Sequence, residues 1–176
     1  MKNFQQVVTL WLSLLVVPAF GQWVTIPDPA FLAKLTLLFP DCTSGDSLNT
    51  QCPDVLNATT LFVGASGISD LTGIEYFGSL QELRCDANNL STLPALPASL
   101  LILRFGNNPI TAWPDLPNTL SELICSDLNL TFLPELPASL TELHCAYNNL
   151  TVLPELPSTL VKLNCNNNRV VRRTCG

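Results

Sequence analysis

LQELRCDANNLSTLPALPAS, residues 80–99, is followed by LLILRFGNNPITAWPDLPNT at 100–119, LSELICSDLNLTFLPELPAS at 120–139 and LTELHCAYNNLTVLPELPST at 140–159, and LVKLNCNNNRV opens a further row at 160–170. Written beneath one another, the rows keep a period of twenty without a slip. One column holds Leu80, Leu100, Leu120, Leu140 and Leu160, and the next Leu83, Leu103, Leu123, Leu143 and Leu163. Then come Cys85, Phe105, Cys125, Cys145 and Cys165, then Asn88, Asn108, Leu128, Asn148 and Asn168, then Leu90, Ile110, Leu130, Leu150 and Val170. A period of this length marks units that cannot bury their apolar face alone and that stack to form one continuous core, a solenoid.

Local patterning indicates how each unit folds. Leu83 and Cys85 alternate with Glu82, Arg84 and Asp86, the period of two of a strand with one buried face. Coils stacked at about 4.8 Å pair such strands into a parallel sheet. The asparagine column falls at the turn after the strand, where a carboxamide can satisfy backbone groups of adjacent coils. Leu128 interrupts that ladder, so the coil begun by Leu120 is expected to turn differently, using Asp127 or Asn129. The blocks at 93–97, 113–117, 133–137 and 153–157 read L-P-x-L-P, with Trp113 replacing the first leucine once. Two prolines per coil exclude a helix there and leave an extended outer limb.

The spacing L-x-x-L-x-(C/F)-x-x-N-x-(L/I/V) resembles the signature of the leucine-rich-repeat superfamily over about residues 61–170, and the L-P-x-L-P block is similar to that of its short, exported bacterial class. The resemblance implies a mostly β fold: a leucine-rich-repeat solenoid with a parallel concave sheet, an extended Pro-rich convex side and a short N-terminal capping helix. Residues 61–80 match loosely and run two residues longer, as a divergent first repeat. Residues 24–35, VTIPDPAFLAKL, resemble the openings of exported bacterial repeat proteins.

Outside the repeats, Lys2, the apolar run 7–17, Pro18 and the small-x-small step Ala19-Phe20-Gly21 read as a signal peptide over residues 1–21, since the run is shorter than the roughly 20 residues of a membrane span. A secreted, extracellular chain with no membrane span after processing is expected. Asp28 is placed to cap a helix begun by Pro29, with Phe31, Leu35 and Leu38 on one face and Pro40 as its stop. Export makes disulfides possible, and Cys42 and Cys52, bracketing a polar loop, are expected to form one. Residues 22–56 are then a cap over the apolar edge of the first coil, and residues 57–176 the repeats. The last row stops at Gly176 with no visible cover, so it is expected to continue or to end uncapped, with Cys175 standing apart from the other six of the seven cysteines.

Catalytic machinery is not expected. His144 is the single histidine, on a strand position with no nucleophile expected beside it, so no triad forms. Cys85, Cys125, Cys145 and Cys165 point inward in one line, which cannot surround an ion tetrahedrally; no metal site and no cofactor are expected, and these thiols act as small buried hydrophobes. Fourteen acidic against eight basic residues make nucleic acid an unsuitable partner. The expected function is extracellular recognition of a protein or other extracellular ligand on the concave face, through Phe62, Arg84, Arg104, Ile124, His144 and Tyr147. The alternative is the substrate-binding or spacer region of a larger secreted or surface enzyme. Arg84 and Arg104 either form an anion-recognising patch or are neutralised by Glu82, Glu122 and Asp86.

Overall fold

Six three-residue strands carry the fold: β4 (Thr60–Phe62), β5 (Glu82–Arg84), β6 (Ile102–Arg104), β7 (Glu122–Ile124), β8 (Glu142–His144) and β9 (Lys162–Asn164). A computed structural model describes residues 22–170. The expected signal peptide at 1–21 and Cys175 lie outside the described residues. The six strands form one parallel sheet in sequence order, with the apolar column in register: Leu61 faces Leu83, then Leu103, Leu123, Leu143 and Leu163. All but Leu163 are buried, and the half-buried Leu163 packs against the same core.

After each strand the chain turns through a left-handed residue, Ala65, Ala87, Asn107, Asp127, Tyr147 or Asn167, followed in the first coil by a second, Gly67. The asparagine column then does what its placement suggested. Asn88 Nδ2 donates to Val63 O in the preceding coil and to Cys85 O in its own, while its Oδ1 accepts from Ser66 and Ile68 N–H, all at 2.9–3.0 Å. Leu128 is buried in place of a carboxamide, and its coil has a second left-handed residue, Asn129, as well as Asp127. A further column ties the end of each row to its start: the hydroxyls of Thr119, Ser139 and Thr159 each lie within hydrogen-bond reach of two carbonyls, one at the start of the same row (Leu100, Leu120 or Leu140) and one near the end of the row before (Ala98, Asn118 or Ala138), and Ser99 donates to Leu80 O.

The outer limbs are extended, as two prolines require. The first coil differs, closing through a short 3-10 turn at Ile74–Tyr76 that Gly73 introduces at φ 113, where any side chain would also meet Ile26.

N-terminal to the solenoid, β1 (Trp23–Thr25), β2 (Thr43–Ser44) and β3 (Ser47–Asn49) form an antiparallel sheet in the order β1-β3-β2. The polar stretch between the cysteines is thus a hairpin turning at Gly45, φ 58, rather than a plain loop. Helix α1 (Pro29–Leu38) begins at Asp28, and Phe31 and Leu35 are buried. Leu38 departs from expectation: it is 45% exposed, because the helix ends there and Phe39, which leaves the helical conformation, packs on Phe77 instead, ring centroids 5.6 Å apart.

Cys42 and Cys52 are bonded, their Cα atoms 5.6 Å apart. Cys85, Cys125 and Cys145 are free and buried, whereas Cys165 is disulfide-bonded and does not belong with them. Burial, reinforced by the charge of Asp86, pushes the Cys85 thiol far up; burial beside Cys145 does the same to Cys125, and burial raises Cys145 to about 11. Thiolate is therefore scarce at neutral pH. Iodoacetamide added to native, non-reduced protein is expected to leave all six of these cysteines unlabelled, and denaturation without reductant to open only Cys85, Cys125 and Cys145 among them, as mass spectrometry would read. Labelling of Cys42 and Cys52 in that native sample would refute the bond, which closes a loop worth about 2–3 kcal/mol.

Candidate functional site

The side chains that leave the sheet opposite to the leucines form the concave face. In β5 to β8 the residues flanking each buried leucine are half-buried, a pattern repeated from strand to strand. Parallel register stacks Phe62, Arg84, Arg104, Ile124, His144 and Asn164 as one column and Glu82, Ile102, Glu122, Glu142 and Lys162 as the one beside it. The expected residues of the strands therefore do share one surface. Tyr147 lies on its rim at the left-handed turn position, φ 55, and is 64% exposed.

Electrostatics on this face differ from two bare cations. Arg84 Nε donates to Glu82 Oε1 at 2.6 Å, and the guanidinium sits 4.5 Å from the centroid of the Phe62 ring, which is 50% exposed. Arg104 Nη2 donates to Glu122 Oε1 at 2.8 Å, from the neighbouring strand. Both arginines are thus paired, as the neutralised alternative had it, except that Asp86 contributes only at longer range. Burial holds the Asp86 carboxyl above its ordinary value, against the pull of its own backbone N–H, Arg104 and Arg84. Arg104 Nε is buried with no hydrogen-bond partner.

Further along, Glu142 Oε2 accepts from Lys162 Nζ at 3.0 Å and lies 3.6 Å from His144 Nε2. The Lys162 hydrogen bond is the main reason the Glu142 carboxyl lies below its ordinary value. His144 has Ile124 and Asn164 as its strand neighbours. Glu142, Lys162 and Ile102 were not among the expected site residues, although the same period of twenty aligns them.

No family model and no curated protein matches the sequence, whereas solved structures are similar to it. YopM from Yersinia enterocolitica WA-314 is 37% identical over 68% of this chain, with a TM-score of 0.62. A Shigella effector leucine-rich-repeat domain is 30% identical over 67% of it, with a TM-score of 0.63. The chain spans 27% of the first and 53% of the second. A functional domain of InlJ from Listeria monocytogenes, which includes a cysteine ladder, covers 88% of the chain at 23% identity and a TM-score of 0.57, a likeness of fold. YopM from Yersinia pestis, a leucine-rich effector protein, is 29% identical over 64% of this chain, with a TM-score of 0.55. With its twenty-residue coils, its inward asparagine ladder and these likenesses, the chain belongs to the leucine-rich-repeat superfamily, in its bacterial form.

Proposed function

We propose that this chain is an extracellular protein-binding module that docks its partner on the concave face of the solenoid. Residues 1–21 act as a signal peptide, residues 22–56 as the cap and residues 57–176 as repeats. The single observation that carries the reading is the continuous column Phe62, Arg84, Arg104, Ile124, His144 and Asn164, held by a rigid sheet and bordered by the exposed ring of Tyr147. Tyrosine, phenylalanine and arginine are enriched at protein interfaces, the aromatics because they carry large contact area at small conformational cost and arginine because its planar fork makes several hydrogen bonds at once. Since the arginines already have carboxylate partners, the surface suits a partner of mixed polarity rather than a simple anion. The disulfide agrees with an oxidising location, and among the described residues no helix is long and apolar enough to cross a membrane.

The test is a binding comparison on a partner recovered with the wild-type chain and then purified. Arg84→Ala with Arg104→Ala is expected to weaken binding at least tenfold, about 1.4 kcal/mol. Thermal stability should hardly change, since half-exposed ion pairs contribute about 0–1 kcal/mol. Glu135→Ala on the convex limb should leave both unaltered. Wild-type affinity in the double variant would remove the concave face from consideration.

A further inference from the structure

The seam between coil 100–119 and coil 120–139 is less well joined than its neighbours. Elsewhere a ladder carboxamide accepts the N–H at the end of the preceding turn: Asn88 takes that of Ile68, Asn108 that of Leu90, Asn148 that of Leu130 and Asn168 that of Leu150. The residue after the ladder position also donates back, Asn89 to Ile68 O, Asn149 to Leu130 O and Arg169 to Leu150 O. At the Pro109 coil, which has no N–H there, Thr111 donates to Ser91 O instead. Leu128 offers no carboxamide to Ile110 N–H, and Asn129, turned to φ 57, does not reach Ile110 O. Among the described residues neither peptide group of Ile110 has a hydrogen-bond partner, although Ile110 is a buried residue, and buried peptide groups are almost always satisfied.

A cavity of about 150 Å³ opens along this seam, bounded by Ile110, Ala112 and Trp113 on one coil and Asn129, Thr131 and Phe132 on the next. Its volume is roughly that of five waters, enough for one leucine-sized side chain. No charged residue lines it. Trp113 is fixed as one wall, its indole N–H donating to Phe132 O at 3.3 Å and its ring packed edge-on to Phe105 at 5.8 Å. Phe132 is 59% exposed at the mouth, and Val152, at the same position one coil on, is 64% exposed.

We propose that this lateral seam is a second docking site, taking an extended peptide segment of a partner protein. An uncharged aliphatic side chain enters between Trp113 and Phe132, and its backbone amide pairs with the unsatisfied peptide groups of Ile110 and Asn129. Apolar walls with a few backbone donors and acceptors are the usual make-up of such a pocket. The absence of charge among the lining residues excludes an acidic or basic side chain, whose desolvation nothing there would offset. The site lies apart from the concave face, and its test does not depend on that reading.

N-acetyl-L-leucinamide carries both features and serves as the probe against the full-length, nitrogen-15-labelled chain. Titration is expected to shift the amide resonances of Ile110 and Asn129 and the indole N–H of Trp113, with a roughly millimolar dissociation constant as befits so small a ligand. N-acetyl-L-glutamate amide should not shift them. Phe132→Ala should weaken probe binding at least tenfold. Leu128→Asn, which supplies the missing carboxamide, should raise thermal stability and weaken the probe to a similar degree. The Arg84→Ala, Arg104→Ala chain should bind it as wild type does. No shift at these three groups up to the solubility limit of the probe, equal shifts with the glutamate analogue, or undiminished binding in both Phe132→Ala and Leu128→Asn would overturn the proposal.

Discussion

Asp28→Ala is expected to lower the free energy of unfolding by about 3–5 kcal/mol, combining a lost helix cap with lost hydrogen bonds to a charged acceptor. Asp28 is only 5% exposed, yet it accepts five hydrogen bonds. Oδ1 takes Ala30 and Phe31 N–H, both at 2.8 Å, which starts α1. Oδ2 takes Ser69 N–H at 2.8 Å, the Ser69 hydroxyl at 2.7 Å and Asp70 N–H at 3.1 Å, all from the first coil. One carboxylate therefore both caps the helix and fastens it to the solenoid, and its removal leaves buried donors with nothing to meet. Burial alone would raise its pKa, but the Ser69 hydroxyl and the N–H groups of Phe31, Ser69 and Asp70 outweigh that and hold it below 3.8. A carboxyl depressed in the folded state stabilises above its unfolded pKa and loses that contribution as pH falls through the folded value. Acid unfolding from about pH 4 downward should thus be steeper in wild type than in the alanine variant. Urea titrations check both statements, and a loss under about 1 kcal/mol would show that cap and solenoid are joined by apolar packing alone.

Asn148→Ala should cost about 2–4 kcal/mol, since a buried amide that satisfies several peptide groups leaves each of them wanting when removed. Its Nδ2 donates to Cys125, Cys145 and Ala146 carbonyls at 2.9, 3.1 and 3.3 Å, and its Oδ1 accepts from Leu128 and Leu130 N–H at 3.1 and 2.9 Å. The effect should be local as well as global: Leu128 and Leu130 amides should exchange with solvent much faster, because this seam would then join the weakened one beside it. Asn149→Ala removes a carboxamide with no such bonds and should stay within about 0.5 kcal/mol. If the two variants unfold at the same denaturant concentration, the ladder is not what holds adjacent coils together.

Much of this architecture was legible because the repeat is strict. The leucine columns, the strand alternation at 82–86 and the prolines of L-P-x-L-P each translate into a backbone state with little competition, and the register follows from the period. The hydroxyl column Ser99, Thr119, Ser139 and Thr159 obeys the same period and could have been found the same way. Leu38 could not: at its helical spacing from Phe31 and Leu35 it belongs on their face, and only the break at Phe39 turns that burial over to the next residue. The pairing of Arg84 with Glu82 and of Arg104 with Glu122 stood open in the sequence as one of two arrangements, since rotamers choose between strand neighbours.

By itself, then, the sequence determined what repetition and local chemistry can determine: a solenoid of parallel strands, an extended convex side, an asparagine ladder with one gap, and an N-terminal helix capped by Asp28. Periodic burial and proline stereochemistry act over a few residues or a single coil, so they can be read without knowing the rest of the chain. Tertiary structure alone decided how the cap is fastened and what the gap does. Asp28 meets Ser69 and Asp70 across 41 and 42 residues, a closure no local pattern encodes. Leu128 leaves Ile110 unpaired beside a cavity walled by Trp113 and Phe132, which depends on how two successive coils meet and not on the local sequence of either.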